Sequence, residues 1–254
     1  MSRTLKLTLA YDGSPFNGWQ IQPGLPTIQG LLAAAIGRMT GEKVLPQGSG
    51  RTDAGVHALG QVASFTTEST IPPENFTKGL NANLPEEIRV LNVEEAAAGF
   101  HARRSAKAKT YRYRIYRGAI CPPFIWKQVY HHPYPLEEST MIEAAKEVVG
   151  EHDFTSFAAV DPDRTRSESG EPANNVRSIF LSAFRRDGED LVYEVRGNGF
   201  LHHMVRNLVG TFLFVGKGTL TPSNVGEIVA ARNRSANPGA TAPASGLYLV
   251  SVEY

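Results

Sequence analysis

Apolar and polar residues alternate at the start of the chain. Leu5, Leu7, Leu9 and Tyr11 fall on one face and Thr4, Lys6 and Thr8 on the other, which predicts a half-buried strand ending in the turn DGSPFNG. The period then changes. Ile28, Leu31, Leu32, Ala35, Ile36 and Met39 recur at three and four residues, the spacing of a helix, with Thr27 as its cap and Gly41 as its stop. A glycine-rich stretch at 48–60 separates this helix from a strand predicted over Gln61–Thr67. A second helix is expected to start at Pro72 or Pro73 and run toward Asn81, and Ile88–Val93 returns as a strand.

From Lys109 the pattern restarts. Tyr111, Tyr113 and Ile115 share one face of a strand whose other face carries Thr110, Arg112 and Arg114. A helix over 137–149 places Met141, Ala144, Ala145 and Val148 on one side. Ser178–Phe184 and Leu191–Arg196 form a hairpin across Asp187-Gly188, and an apolar helix runs from about His203 to Val215. The order strand, helix, strands, helix, strand is told twice. It predicts an α+β (α/β) chain of two RRM-like halves with mostly antiparallel sheets, residues 1–105 and 106–254. The polar stretch from Val160 to Asn175 is expected to be a mobile surface loop.

Composition narrows the class. With 41% hydrophobic and 20% charged residues, 254 residues can bury one large core or two smaller ones, which excludes a disordered or collagen-like chain. There is no run of about 18 apolar residues and the N-terminus lacks a signal-peptide core, so a cytoplasmic protein without a membrane association is expected. The single cysteine, Cys121, cannot form an internal disulfide, and beside Pro122 and Pro123 it reads as a small packed hydrophobe. The net charge of +1 does not announce a nucleic-acid partner, but no acid occurs between Glu95 and Glu137, a span that holds Arg103, Arg104, Lys107, Lys109, Arg112, Arg114, Arg117 and Lys127. Charge alone leaves two readings open: a phosphate-binding block, or a solvated basic strand and loop balanced by acids elsewhere.

The most unusual local feature is GSGRTDAGVHA, where glycines at 48, 50 and 55 surround Arg51, Thr52 and Asp53. Taken by itself, Asp53 is an ordinary turn aspartate bonding its own backbone. The run is not a phosphate loop, because it lacks GxxxxGK[ST] and carries a carboxylate. The seven histidines show no metal-ligand spacing, so no metal is expected.

GRTDAGVHALGQVASF, with KLTLAYDGSPFNGWQIQP, KTYRYRIY, HDFTSF, GNGFLHHMVRNLVGT and APASGLYLV, resembles the tRNA pseudouridine synthase A family, in order from residue 6 to residue 250. The resemblance implies a pseudouridine synthase fold with its catalytic cleft between the halves and a homodimer working without a cofactor. Its substrate would be uridine at positions 38, 39 and 40 of the tRNA anticodon stem-loop. Asp53 matches the family's catalytic aspartate, Arg206 the basic residue that pairs with it, Tyr111 the active-site tyrosine, and Arg51 an arginine that holds or replaces the flipped nucleotide. Arg103, Arg104, Lys107 and Lys109 are the candidates for tRNA phosphates.

The chemistry suits these residue types. Breaking the N1–C1′ bond, turning the base and rejoining it through C5 needs no redox partner, and a carboxylate can attack a carbon, stabilise C1′ or take a proton from C2′. Tyr111 offers a ring for the detached base. Unstacking a uridine costs a few kcal/mol, which phosphate contacts would offset. Two other readings share the residues: a non-catalytic RNA-binding protein, which would lack the RNP1 pattern, and a hydrolase that releases free uracil.

Overall fold

The computed structural model describes residues 2–160 and 174–254, and most of the loop expected at 160–175 therefore lies outside the described residues. The chain starts with β1 (Arg3–Tyr11), α1 (Ile28–Thr40), β2 (Gln47–Gly48), β3 (His57–Thr67), α2 (Pro73–Asn83) and β4 (Ile88–Ala96). It continues with β5 (Ala108–Tyr116), β6 (Tyr130–His131), α3 (Glu138–Lys146), β7 (Gly150–Asp153), β8 (Val176–Asp187) and β9 (Asp190–Gly197). The helices α4 (Met204–Gly216) and α5 (Pro222–Ala231) and the strand β10 (Leu247–Glu253) complete it. The fold is α+β, in two compact units: Met1–Lys109 with Ala244–Tyr254, and Thr110–Pro243.

In the first unit the strand order is β4-β1-β3-β10, with β2 on β3. β1 lies antiparallel to both β3 and β4, and Leu5, Leu7 and Leu9 are fully buried, as their alternation requires. Thr27 accepts the Gly30 N–H at 3.3 Å and Gly41 closes α1 in the left-handed region, so both predicted ends of this helix hold. The β1–β3 register slips between Leu9↔Gln61 and Tyr11↔Ala58, an extra residue on β3 that marks a bulge. β3 starts at His57, inside the stretch expected to be loop, because β10 pairs with it in parallel at Tyr248↔His57 and Leu249↔Ala58. Residues 244–254, expected with the second half, thus belong to the first unit.

In the second unit β9 stands between β5 and β8, and β7 follows β8. The predicted hairpin pairs from Ile179↔Gly197 to Asp187↔Asp190. α3 packs on α4, α5 and β8. α5 carries a capping box between Thr221 and Asn224, with Pro222 at its first turn. Among the described residues no helix is long and apolar enough to cross a membrane.

Candidate active site

The GSGRTDAGVHA run turns between β2 and β3, and the segment after β1 holds it. The Trp19 N–H donates to the Thr52 carbonyl at 2.9 Å, the Gly55 N–H to the Phe16 carbonyl at 3.3 Å, and the Val56 N–H to the Asp53 carbonyl at 3.1 Å. The two glycine-containing blocks DGSPFNGW and GRTDAGV therefore form one structure. Gly18 explains how they come so near: its φ is +86°, and a Cβ there would lie 2.7 Å from the Thr52 carbonyl oxygen.

Burial alternates along the loop. Arg51 is exposed, Thr52 is buried and Asp53 is half-buried, so the middle residue anchors while its neighbours face outward. The Thr52 hydroxyl meets the Tyr11 hydroxyl at 2.8 Å. The first residues are held as well: Ser49 donates to the Gln61 amide oxygen at 2.7 Å, and the Lys109 ammonium donates to the Ser49 carbonyl at 2.6 Å. On the far side of the loop His57 stacks on Tyr248 with ring centres 4.7 Å apart.

In the second unit, Arg206 sits in the first turn of α4. That helix is buried nearly all round, with only Arg206 and Phe214 among its thirteen residues short of full burial. Arg206 itself is half-buried. Its guanidinium Nε donates to the Ala242 carbonyl at 2.7 Å, and the Ala242 N–H returns to the Arg206 carbonyl at 3.1 Å. Below it the fully buried Asn207 donates to the Phe157 carbonyl at 2.7 Å and accepts from the Thr241 hydroxyl at 2.6 Å. His203, which caps α4, is one of two non-glycine residues in the left-handed region among those described, at φ 58°.

Tyr111 and Tyr113 share the buried face of β5. Tyr111 stands edge-on to Phe200 with ring centres 5.0 Å apart. Tyr113 donates to the Pro243 carbonyl at 2.7 Å, and burial, with a smaller effect of Tyr130 and against the opposing charge of Arg206, holds its phenol well above the usual range. Cys121 is buried as a packed hydrophobe, and that burial, with a smaller effect of the Asp190 charge, pushes its thiol up.

The basic block divides. Arg112 pairs with Glu194 at 3.3 Å, Arg114 with Asp190 at 2.7 Å and Arg117 with Glu138 at 3.3 Å, so the charges of β5 and its exit are balanced by acids within the same unit. Arg103, Arg104 and Lys107 are exposed on the turn before β5, whose backbone is organised by the His101 ring accepting the N–H groups of Arg103 and Arg104 at 3.1 and 3.3 Å. Sequence reasoning overlooked Gln61, Tyr11 and the stretch 237–243 as supports, although Tyr11 and Gln61 lie inside the family-like motifs. The buried capping-type Asn237, which bonds Thr211 and the Gly239 N–H at 2.9 Å each, was legible only as one more turn residue.

The family model described as tRNA pseudouridine synthase matches residues 8–103 and 144–254. Arg51, Asp53, Arg103 and Arg206 lie within the matched stretches, and Arg104, Lys107, Lys109 and Tyr111 lie between them. Over 252 residues the chain is 52% identical to the tRNA pseudouridine synthase A of Solibacter usitatus, covering 99% of this chain and 100% of that one. It is 44% identical to the enzyme of that name from Moorella thermoacetica, covering 98% and 99%, and 45% identical to that from Lacticaseibacillus casei, covering 98% of both.

Proposed function

The chain belongs to the tRNA pseudouridine synthase family, isomerases of uridine in tRNA, and from that footing we propose that it converts uridine to pseudouridine at positions 38, 39 and 40 of the anticodon stem-loop, with the Asp53 carboxylate as the essential catalytic group. The observation that carries the reading is the loop at 49–56, which buries Thr52 against Tyr11 and leaves Arg51 and Asp53 on its outer side. A turn aspartate that only bonded its own backbone would not need Trp19, Tyr11 and Gln61, from three separate segments, to hold the loop around it.

The reaction breaks N1–C1′, joins C5 to C1′, and exchanges the C5 proton for a proton on N1, so mass is unchanged. Asp53 serves the bond-breaking end of this sequence, where positive character develops on the sugar. By the family resemblance Arg206 is the basic residue that serves the reaction, Tyr111 receives the detached base, and Arg51 holds the displaced nucleotide. Arg103, Arg104 and Lys107 bind tRNA phosphates, joined by Lys109, whose ammonium also supports Ser49. The family reading further gives a cytoplasmic homodimer that needs no cofactor.

Asp53→Asn tests it. The variant should release no tritium from C5-labelled uridine in tRNA while binding tRNA as the parent does, and carbodiimide mapping of the parent's product should stop at positions 38–40. Parent-like tritium release by the variant would defeat the role of Asp53, modification at other positions would defeat the site specificity, and free uracil would make the protein a hydrolase.

A further inference from the structure

We infer that Gln61, Tyr11 and Thr52 form a positioning relay that fixes the direction of the Asp53 side chain for bond breaking. The inference rests on Asp53 being the reacting group. Gln61 is fully buried, and all four hydrogen-bonding positions of its side-chain amide are used. Its oxygen accepts from the Val62 N–H at 3.1 Å and the Ser49 hydroxyl at 2.7 Å, and its nitrogen donates to the Gly50 carbonyl at 3.0 Å and the Tyr11 hydroxyl oxygen at 3.4 Å. A reversed amide would set donor against donor at Val62 and oxygen against oxygen at Gly50, so the orientation is fixed.

The network continues from there: the Tyr11 oxygen accepts the Gln61 N–H, and the Tyr11 and Thr52 hydroxyls share a hydrogen bond at 2.8 Å. Burial pushes the Tyr11 phenol up to about 12, so the proton stays in place at neutral pH. The relay thus runs from β3 through β1 to Thr52, the residue before Asp53, and the peptide groups flanking Asp53 are pinned by Trp19 and Val56. A polar network costs desolvation that an apolar core of the same shape would avoid, and what it adds is a single arrangement. Its placement beneath one loop, at the bulge of β3, puts that single arrangement next to the residue that carries the carboxylate.

The test uses single-turnover and steady-state pseudouridine formation on a tRNA transcript. Tyr11→Phe and Thr52→Val should each lower kcat about 10- to 100-fold, the cost of misplacing a reacting group by about an ångström, with KM within about twofold. Thr52→Ser, which keeps the hydroxyl, should recover kcat to within about threefold. Tyr193→Phe is the matched control: it deletes an equally buried phenol bonded to Ser182 at 2.8 Å in the second unit, and should lower thermal stability without changing kcat. The inference falls if Tyr11→Phe keeps the parent kcat, if its kcat loss is matched by Tyr193→Phe, or if only KM moves. Should Thr52→Val fail to fold, Tyr11→Phe decides alone. A parent protein that makes no pseudouridine defeats the proposed function, whereas an active parent with an indifferent Tyr11→Phe defeats this inference only.

Discussion

Gly18 lies so close to Thr52 that a Cβ on it would stand 2.7 Å from the Thr52 carbonyl oxygen and 3.1 Å from the Ala54 nitrogen. The contact is backbone to backbone, with no flexible side chain to move aside. Gly18→Ala should therefore shift the loop and strain its own φ of +86°, costing about 1–3 kcal/mol. Denaturant unfolding and pseudouridine assays on the variant check both effects, and kcat should fall with stability because the proposed catalytic residue, Asp53, is on the displaced loop.

A second close approach holds the helix that carries Arg206. A Cβ on Gly210 would lie 1.7 Å from the Ala240 carbonyl oxygen, so the segment at 237–243 rests directly on the backbone of α4. Gly210→Ala should destabilise the protein by about 3 kcal/mol or more, since the two backbones must separate. The unfolding midpoint in urea measures it, and an unchanged midpoint would contradict the described packing.

Salt dependence separates the two parts of the basic block. Replacing Arg103, Arg104 and Lys107 together by Ala should lower the slope of log affinity for tRNA against log salt by about 2 to 3, roughly 0.7 to 0.9 for each phosphate left without its cation. Arg112→Ala and Arg114→Ala should leave the slope unchanged, because Glu194 and Asp190 already balance those charges. Filter binding or anisotropy over a salt series reads the difference.

Tyr11 gives an alkaline signature. Its folded pKa of about 12 lies above the unfolded 10.0, so folded and unfolded chains are both protonated below pH 10 and its contribution to stability is complete there. Between pH 10 and 12 the unfolded chain loses the proton and the folded chain keeps it, so stability falls by about 1.4 kcal/mol per pH unit from this group. Tyr193 and Tyr254 are also raised by burial and contribute to the same decline. Unfolding free energies from pH 9 to 11.5 should therefore drop less steeply for Tyr11→Phe than for the parent.

Local pattern made the first strand and helix readable, because Leu5, Leu7 and Leu9 alternate and Thr27 and Gly41 cap within the element they bound. It failed where a partner lies far along the chain. His57 and Ala58 read as loop after a run of glycines, and they become strand because Tyr248 and Leu249 pair with them on one side and Tyr11 pairs with Ala58 on the other. β10 and α5 went unassigned, although Thr221, Pro222 and Asn224 spell out the start of α5. The charge of β5 stayed open between two readings for the same reason: nothing near Arg112 or Arg114 in sequence shows that Glu194 and Asp190 stand opposite, which for these two residues favours the balanced strand. In the site, the motif pointed to Asp53 and Arg51, whereas the supporting role of Gln61 follows from burial and four bonds that composition does not display.

The return of β10 to the first unit sets an order of events during synthesis. Until Leu247–Glu253 have been made, the end of β3 beside Asp53 lacks the strand that pairs with His57 and Ala58 and the Tyr248 ring that covers His57. A nascent chain would thus present an open strand edge next to an unfinished loop, a state prone to wrong pairing. The residues that start the first unit must wait for ones made nearly two hundred positions later before the loop has its full support, so chains that lack Leu247–Glu253 should lack the finished loop even though every residue of the GSGRTDAGVHA run is present.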